Sequence, residues 1–541
     1  MLISNARKII EKPSKEMKKI EKLEAENKAL KLEVKSLKAE VKRLNKVDNE
    51  NENLKKQLAQ MKLDIKSTVF QAVCEAVAPI EKALNEANNE IKRLNVIIDK
   101  DSSNSNKPSS TNGFKHVPNS REKTGRSQGG QKGHKGHRLS LPDNLDELEA
   151  EGVIERRIVD YTGGATDYVI RHTLDVETRV ILTEHRFKVG EILPGMYNEV
   201  TYGDEIKGLS VVLMNEGIIA KKRLTEIISG MTSGVINLST GTLETFQKEF
   251  AEKLDELNEI EVIETDLIND DGMNVDDTPL RVLERPAHKN GELIFETTED
   301  GEDKILLEKG EGKTLSATLR TYVNERSVRY TINPSKHQVG IDRDDILPRF
   351  NGNLTHDDES KFHHYGKNNS LCGAHLLREL RGIEQAYKFS WAGEVRDLFI
   401  RMNSHKNADL EKGVTACDKQ ILAAFVVEFE NLLAKGVEAI ENHGYNFGFK
   451  QVQNIVARVQ KRKDNYLLFM RDYSIPFTNN RAEAALRPEK IKQKVSGMFR
   501  SWGGVLTHVN IRSFIATAKK REKNVFTSVK KIFAGQSVLS N

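Results

Sequence analysis

From Ile20 onward, apolar residues recur in steps of three and four through Leu23, Leu30, Val34, Leu37, Val41 and Leu44, with Asn27 and Asp48 at two further seam positions. A stripe of that period needs the matching stripe of another helix to bury it. Ile20, Val34 and Val41 occupy the position that prefers β-branched residues in parallel dimers, the leucines occupy the other, and a lone seam Asn sets register. The pattern predicts a two-stranded parallel coiled coil and therefore a dimer, ahead of helices that fold back on their own chain. Beyond Asn51 the steps restart as Leu54, Leu58, Met61 and Ile65, a slip equivalent to a three-residue insertion that overwinds the coil locally. A second helical stretch carries Ile80, Leu84, Ala87, Ile91, Leu94 and Ile98 on one stripe.

A chain of 541 residues is too long for a single core and predicts two to four domains. Hydrophobic residues at 38% against 30% charged leave no run of about 18 apolar residues, so neither a membrane span nor a signal peptide is expected. Cys74, Cys372 and Cys417 are too few and too far apart for a disulfide framework or a four-cysteine zinc site, which favours a reducing cytoplasm. The formal charge is only +4, but residues 102–140 carry eight Lys or Arg against one acid, a local +7 that leaves the rest of the chain at −3. Charge concentrated in this way binds polyanions. The same segment is rich in Ser, Gly and Asn and poor in apolar groups, and its glycines let the backbone approach a phosphate chain closely. A solvated linker is the competing reading.

Residues 152–200 read as strands, above all Asp167–Arg171 and Glu177–Phe187, where β-branched and polar residues alternate. From Lys207 to Leu257 the pattern is helical, and Ser239-Thr-Gly-Thr-Leu243 has the form of a turn and N-cap before a run through Phe246, Phe250 and Leu254. A helix-turn-helix is compatible with this spacing, but ordinary helix packing explains it as well. Met273–Leu283 reads as a strand carrying Asp276, followed by strands at Thr314–Asn324 and Val328–Asn333 and a further one running into Leu354-Thr-His-Asp357. Thr478-Asn-Asn480 offers N-caps for a short helix whose first turn holds Glu483, before Pro488 interrupts the run.

Asp276, Asp357 and Glu483 are three acids among eighty, and only their convergence would give them chemistry. Three converging carboxylates suit two Mg2+ or Mn2+ ions, which take hard oxygen ligands and bind phosphate oxygens as well. Asp277 and Asp358 follow two of them directly, and alternation along a strand allows only one of each pair to face an ion. His356, His363, His364, Cys372 and His375 lack the paired spacing of a structural zinc motif, so packing or DNA-proximal roles are expected and no structural zinc. Residues 487–531 hold twelve Lys or Arg against two acids, a counter-surface suited to DNA.

The ordered motifs resemble the DDE transposases of the insertion-sequence sixty-six family, in the large transposase subunit. They are Ser-Ser-Asn-Ser-Asn-Lys-Pro-Ser-Ser, Gly-Gly-Gln-Lys-Gly-His-Lys-Gly-His, Val-Asp-Asp-Thr-Pro-Leu-Arg-Val, His356-Asp357 with Tyr365, Cys372-x-x-His375-x-x-Arg378, and Thr478-Asn-Asn-Arg-Ala-Glu483 with Arg487-Pro488. The resemblance implies a ribonuclease H-like catalytic domain with Asp276, Asp357 and Glu483 as its catalytic, metal-binding triad and a helical insertion before the Glu. It also implies cleavage at element ends, strand transfer into target DNA, and element-encoded accessory proteins as partners. Two departures stand out. Residues 150–200 contain no cysteine where the family usually has a cysteine-rich zinc segment, and an acidic loop lies between Pro286 and Lys313.

The expected architecture is α+β and multidomain: a coiled coil over 1–100, a basic flexible linker over 101–145, a small β module over 146–205 and a helical region over 206–262. The catalytic domain begins at 263–380, is interrupted by a helical insertion at 381–472, and ends with the Glu-bearing helix and basic region at 473–541. Lys132, Lys135, Arg138, Lys490, Lys492, Lys494 and Arg500 are the candidate DNA contacts. A cytoplasmic, nucleoid-associated bacterial transposase acting as a homodimer or larger assembly is the leading expectation. A non-enzymatic dimeric coiled-coil DNA-binding relative is its rival.

Overall fold

The computed structural model describes residues 77–88, 90–91, 94, 141–188, 198–298, 302–442 and 450–540, together with positions 33, 36 and 40. Glu33, Ser36 and Glu40 are helical and exposed; the described parts of the second stretch are helical too, with Ala87 and Leu94 buried. The seam pairing of the coiled coil lies outside the described residues, as do Lys132, Lys135 and Arg138.

After a short helix α1 (Leu145–Ala150), residues 151–188 contain no strand. The strands expected at Asp167–Arg171 and Glu177–Phe187 are not formed: Tyr161, Val176 and Leu182 are each about nine-tenths exposed, at 91%, 90% and 90%. Alternation supplies one apolar face, but a strand also needs a neighbour to pair with and a surface to cover, and this segment has neither.

Four helices follow, α2 (Asp204–Asn215), α3 (Lys221–Met231), α4 (Thr240–Glu256) and α5 (Glu259–Ile268). Ser239 caps α4 as its sequence predicts, accepting the Thr242 amide at 2.9 Å. Leu243, Phe246, Phe250 and Leu254 face a core shared with Val211, Leu224, Ile263 and the C-terminal helices.

The central sheet has five strands in the order β11-β10-β1-β8-β9. β1 (Gly272–Val282), β8 (Leu315–Val323) and β9 (Val328–Asn333) form an antiparallel meander, as the three apolar runs predict. β10 (Asn353–His356) and β11 (Asn368–Leu371) then add in parallel on the other side of β1. The acidic insertion between β1 and β8 folds into short antiparallel ladders. β2 (Glu284–Pro286) pairs with β7 (Leu307–Lys309), β3 (His288–Lys289) with β4 (Glu292–Leu293), and β5 (Phe295–Thr297) with β6 (Asp303–Ile305).

Helix α6 (Gln338–Asp344) leads from β9 towards β10, and α7 (Gly373–Tyr387) leaves β11. Four helices, α8 (Ser390–Leu410), α9 (Lys419–Asn442), α10 (Lys450–Lys461) and α11 (Lys463–Arg471), then build a separate core around Trp391, Phe399, Phe429, Tyr466 and Phe469. The chain returns to the sheet as α12 (Asn480–Ser496), α13 (Trp502–Lys520) and α14 (Val525–Phe533). Ala482 and Leu486 of α12 and Val505 and Val509 of α13 pack on Leu280 and Val282 of β1 and Leu319 of β8.

Pro488 does not end α12, contrary to the sequence expectation: the helix runs through it to Ser496. A proline removes an amide and crowds the preceding turn. One turn before it the buried Tyr330 hydroxyl donates to the Ala485 carbonyl at 2.7 Å, tying this part of the helix to β9.

Candidate metal centre

The register of the parallel pair β1 and β10 sets the site. Gly272, Met273 and Asn274 lie opposite Asn353, Leu354 and Thr355, so continuing two residues further brings Asp276 beside Asp357. Alternation then separates the neighbouring acids. Met273 and Val275 face the core of α4 and α5, whereas Asn274 and Asp276 face the side covered by α12. Asp277 points away from that side into ion pairs with Lys361 and, at 3.8 Å, Arg320. Asp358, in the left-handed region at φ 66°, is held by His363 at 3.0 Å, by Arg458 at 3.3 Å and by Arg462. Both neighbours are thus engaged by cations of the protein itself, and the second one fastens the helical insertion to the end of β10.

The turn after β10 is set by His356, which is fully buried. Its Nδ1 accepts the Asp358 amide at 3.2 Å and its Nε2 meets Asn369 Oδ1 at 3.0 Å. Burial, with the nearby His363, pushes its pKa down to about 4, so the ring is neutral and serves as an acceptor.

Asn479 stands at the N-cap position of α12 but does not cap the helix. Its side chain is buried completely, donates to the Val275 carbonyl at 2.9 Å and accepts from the Asn274 side chain at 3.0 Å. Its backbone amide points at Cys372 Sγ at 3.2 Å. The Thr478-Asn-Asn480 stretch therefore pins the start of α12 across β1, one turn before Glu483. Gly373 completes the joint: its amide donates to the Phe477 carbonyl at 2.9 Å, and a Cβ there would lie 2.2 Å from the Phe477 ring. Only glycine permits α7 to begin so close to the turn segment leading into α12.

These contacts bring Asp357, Cys372, His375 and Glu483 together, with one potential ligand atom from each within 4.8 Å of all the others. His375 Nδ1 is 3.2 Å from Asp357 Oδ1 and 3.8 Å from Glu483 Oε1, and Arg378 approaches the same Glu483 oxygen at 3.5 Å. Asp276 adjoins this group electrostatically. Its own burial, then the charges of Asp357 and Asp277, push its pKa up to about 8 against the weaker pull of Lys490. Burial alone would lower the pKa of His375, but Asp357 and then Cys372 override it and raise it to about 10.

A divalent cation fits this set. Asp357 Oδ1 and His375 Nδ1 are buried atoms with no aligned hydrogen-bond partner, and Asp276 is a carboxyl kept protonated near neutrality first by its burial and then by the charges of Asp357 and Asp277. The structure brings together Asp357 and Glu483 of the expected triad, with Asp276 beside Asp357. Cys372 and His375 join that cluster, which the sequence did not signal, because a single Cys-x-x-His on a helix resembles ordinary packing.

The basic candidates separate in the same way. Lys490, Lys494 and Arg500 are exposed, whereas Lys492 is half-buried and reaches the Met214 carbonyl of α2 at 3.4 Å, so its expected place on the DNA face does not hold. Two positions along a helix turn a side chain by about 200°, which carries Lys492 to the packed side.

The arrangement is that of a mixed α+β protein of the transposase class, with a sheet that carries an acid cluster suited to a divalent cation. The pattern of the Transposase IS66 family matches residues 201–506, more than half of the chain, and the chain belongs to that family. Searches of curated proteins and of solved structures found no match. Among the described residues no helix is long and apolar enough to cross a membrane.

Proposed function

We propose that this protein is a DNA transposase that cleaves the ends of its element and joins the resulting 3′-hydroxyl to target DNA. The observation that carries this reading is the parallel register that sets Asp276 beside Asp357, with the Glu483 helix anchored across the same strand by Asn479. The sheet order, an antiparallel β1-β8-β9 meander extended in parallel by β10 and β11, supports a ribonuclease H-like catalytic domain.

In this reading Asp276, Asp357 and Glu483 hold two divalent ions, Mg2+ or Mn2+. When bound, such ions activate the attacking oxygen and stabilise the leaving one in an in-line displacement at phosphorus. The chain's residues supply the rest. Asp357 and Glu483 hold their carboxylates on rigid elements, and Arg378 and the His356 turn orient them. Lys490, Lys494 and Arg500, exposed on and just beyond the Glu483 helix, bind the phosphate backbone and draw the scissile bond towards Asp276. Transposon-end and target DNA are thus the substrates, and dimerisation through the N-terminal heptads would bring two ends together.

The test is cleavage and strand transfer by the purified full chain on its own element ends, with Mg2+ or Mn2+. Asp276→Asn, Asp357→Asn and Glu483→Gln should each abolish both steps while retaining DNA binding. Undiminished strand transfer in all three would remove the triad from the mechanism.

A further inference from the structure

We infer that His375 is a further protein ligand of the metal ion held by Asp357 and Glu483, a nitrogen donor that tilts this position towards transition metals such as Mn2+ and away from Mg2+. The inference rests on the proposed transposase reading and adds to it a residue and a metal preference.

The distances carry the argument. Ligand atoms about 2.1 Å from one ion are about 3.0 Å apart across an octahedral edge and about 3.4 Å apart in a tetrahedron. His375 Nδ1 lies 3.2 Å from Asp357 Oδ1 and 3.8 Å from Glu483 Oε1, so one ion can reach all three with small side-chain adjustments. Here both Asp357 Oδ1 and His375 Nδ1 are buried from water, and neither has an aligned hydrogen-bond partner. Two buried, ligand-capable atoms at this separation, with Glu483 Oε1 beside them, can share one ion.

The backbone fixes this position. His375 sits in the first turn of α7, whose start is locked by Gly373 against Phe477 and by Cys372 Sγ against the Asn479 amide. The same Asn479 anchors the Glu483 helix, so the nitrogen and the carboxylate are positioned by one joint. Cys372 Sγ lies within the cluster, but the Asn479 amide already points at it, which assigns the sulfur to that joint rather than to the ion. An imidazole nitrogen with two carboxylates is a donor set that favours Mn2+ over Mg2+, because Mg2+ prefers oxygen alone and keeps its waters.

The test uses the full chain and Mn2+ as the probe. Pulsed electron paramagnetic resonance on bound Mn2+ reads nitrogen coupling directly, and competition with Mg2+ gives the ratio of the two affinities. The expected result is a single-nitrogen coupling in the wild type that disappears in His375→Gln and in His375→Asn. The Mn2+-to-Mg2+ affinity ratio should fall about tenfold or more in both variants. Two results would overturn the inference while leaving the transposase reading intact: Mn2+ binding that depends on Asp357 and Glu483 but shows no nitrogen coupling in the wild type, or coupling that persists in both His375 variants. Mn2+ binding indifferent to Asp357→Asn and Glu483→Gln would overturn both. The wild-type spectrum decides the matter even where a substitution impairs folding.

Discussion

The Asn479 side chain donates to the Val275 carbonyl at 2.9 Å, joining the residue that begins the Glu483 helix to the strand residue just before Asp276, although the two lie 204 positions apart in the chain. The bond is buried and sits beside a second one to Asn274. It is a direct, non-covalent link between the two ends of the proposed triad.

Replacing Asn479 with Ala leaves the Asn274 amide and the Val275 carbonyl without their partner and frees the helix start. The expected loss is about 2–4 kcal/mol of stability, from roughly 1–3 kcal/mol per unsatisfied group. Strand transfer per folded molecule should fall further than DNA affinity. Thermal melts with activity normalised to folded protein check this, and full activity in the folded fraction would show that the bond is structural only.

Asp276 gives a pH signature. Its folded pKa of about 8 lies above its ordinary value of 3.8, so its contribution is fully present below pH 4 and is lost as the pH rises through 8. In metal-free buffer Asp276→Asn should therefore gain stability over the wild type progressively across that window, and divalent cation should stabilise the wild type more than the variant. Equal differences in Tm at pH 4 and pH 8 would contradict the assignment.

Glu489 shows the opposite sign. It is buried with His508 at 2.7 Å and Arg512 at 2.9 Å, and these two cations overcome its burial to hold its pKa down to about 2, below the ordinary 4.5. Its stabilisation is present above pH 4.5 and lost as the pH falls through 2. Glu489→Gln should cost up to roughly 3–5 kcal/mol at neutral pH, because it removes the buried carboxylate of Arg512 and leaves it only the less buried Glu216 at 3.2 Å. Acid denaturation curves of the two proteins should converge near pH 2, and parallel curves would exclude this role.

The basic surface makes a discriminating pair. Lys490→Ala, Lys494→Ala and Arg500→Ala should each weaken DNA binding regardless of sequence and reduce the slope of log affinity against log salt by about 0.9. Lys492→Ala should leave that slope unchanged and lower Tm instead, since its ammonium reaches the Met214 carbonyl. Salt titrations of all four variants on one duplex distinguish the two roles.

How far the sequence could be read follows from what each signal depends on. The meander of β1, β8 and β9 was legible because three apolar runs separated by short polar turns admit few pairings. Asp167–Arg171 and Glu177–Phe187 carried the same alternation and formed no strand, because pairing depends on a partner that local pattern does not report. The choice of Asp276 over Asp277 was open on spacing alone. It depends on the face that α12 covers, and on Lys361 and Arg320 meeting the other carboxylate, both set by tertiary contacts. Asn479 had the look of an N-cap and turned out to be a cross-link, and Pro488 had the look of a stop but lies inside α12, whose preceding turn is tied to β9 by Tyr330, more than 150 residues away. His375 was hidden for the same reason: its neighbours Asp357 and Glu483 come from a strand end and a distant helix.

The most direct test of the central claim compares the two adjacent acids of β1. Strand transfer of a 3′-hydroxyl element end by the full chain should fall to background in Asp276→Asn. In Asp277→Asn it should persist per folded molecule, with the loss appearing as lower stability from the broken Lys361 and Arg320 pairs. Activity retained in Asp276→Asn, or abolished only in Asp277→Asn, would contradict the account.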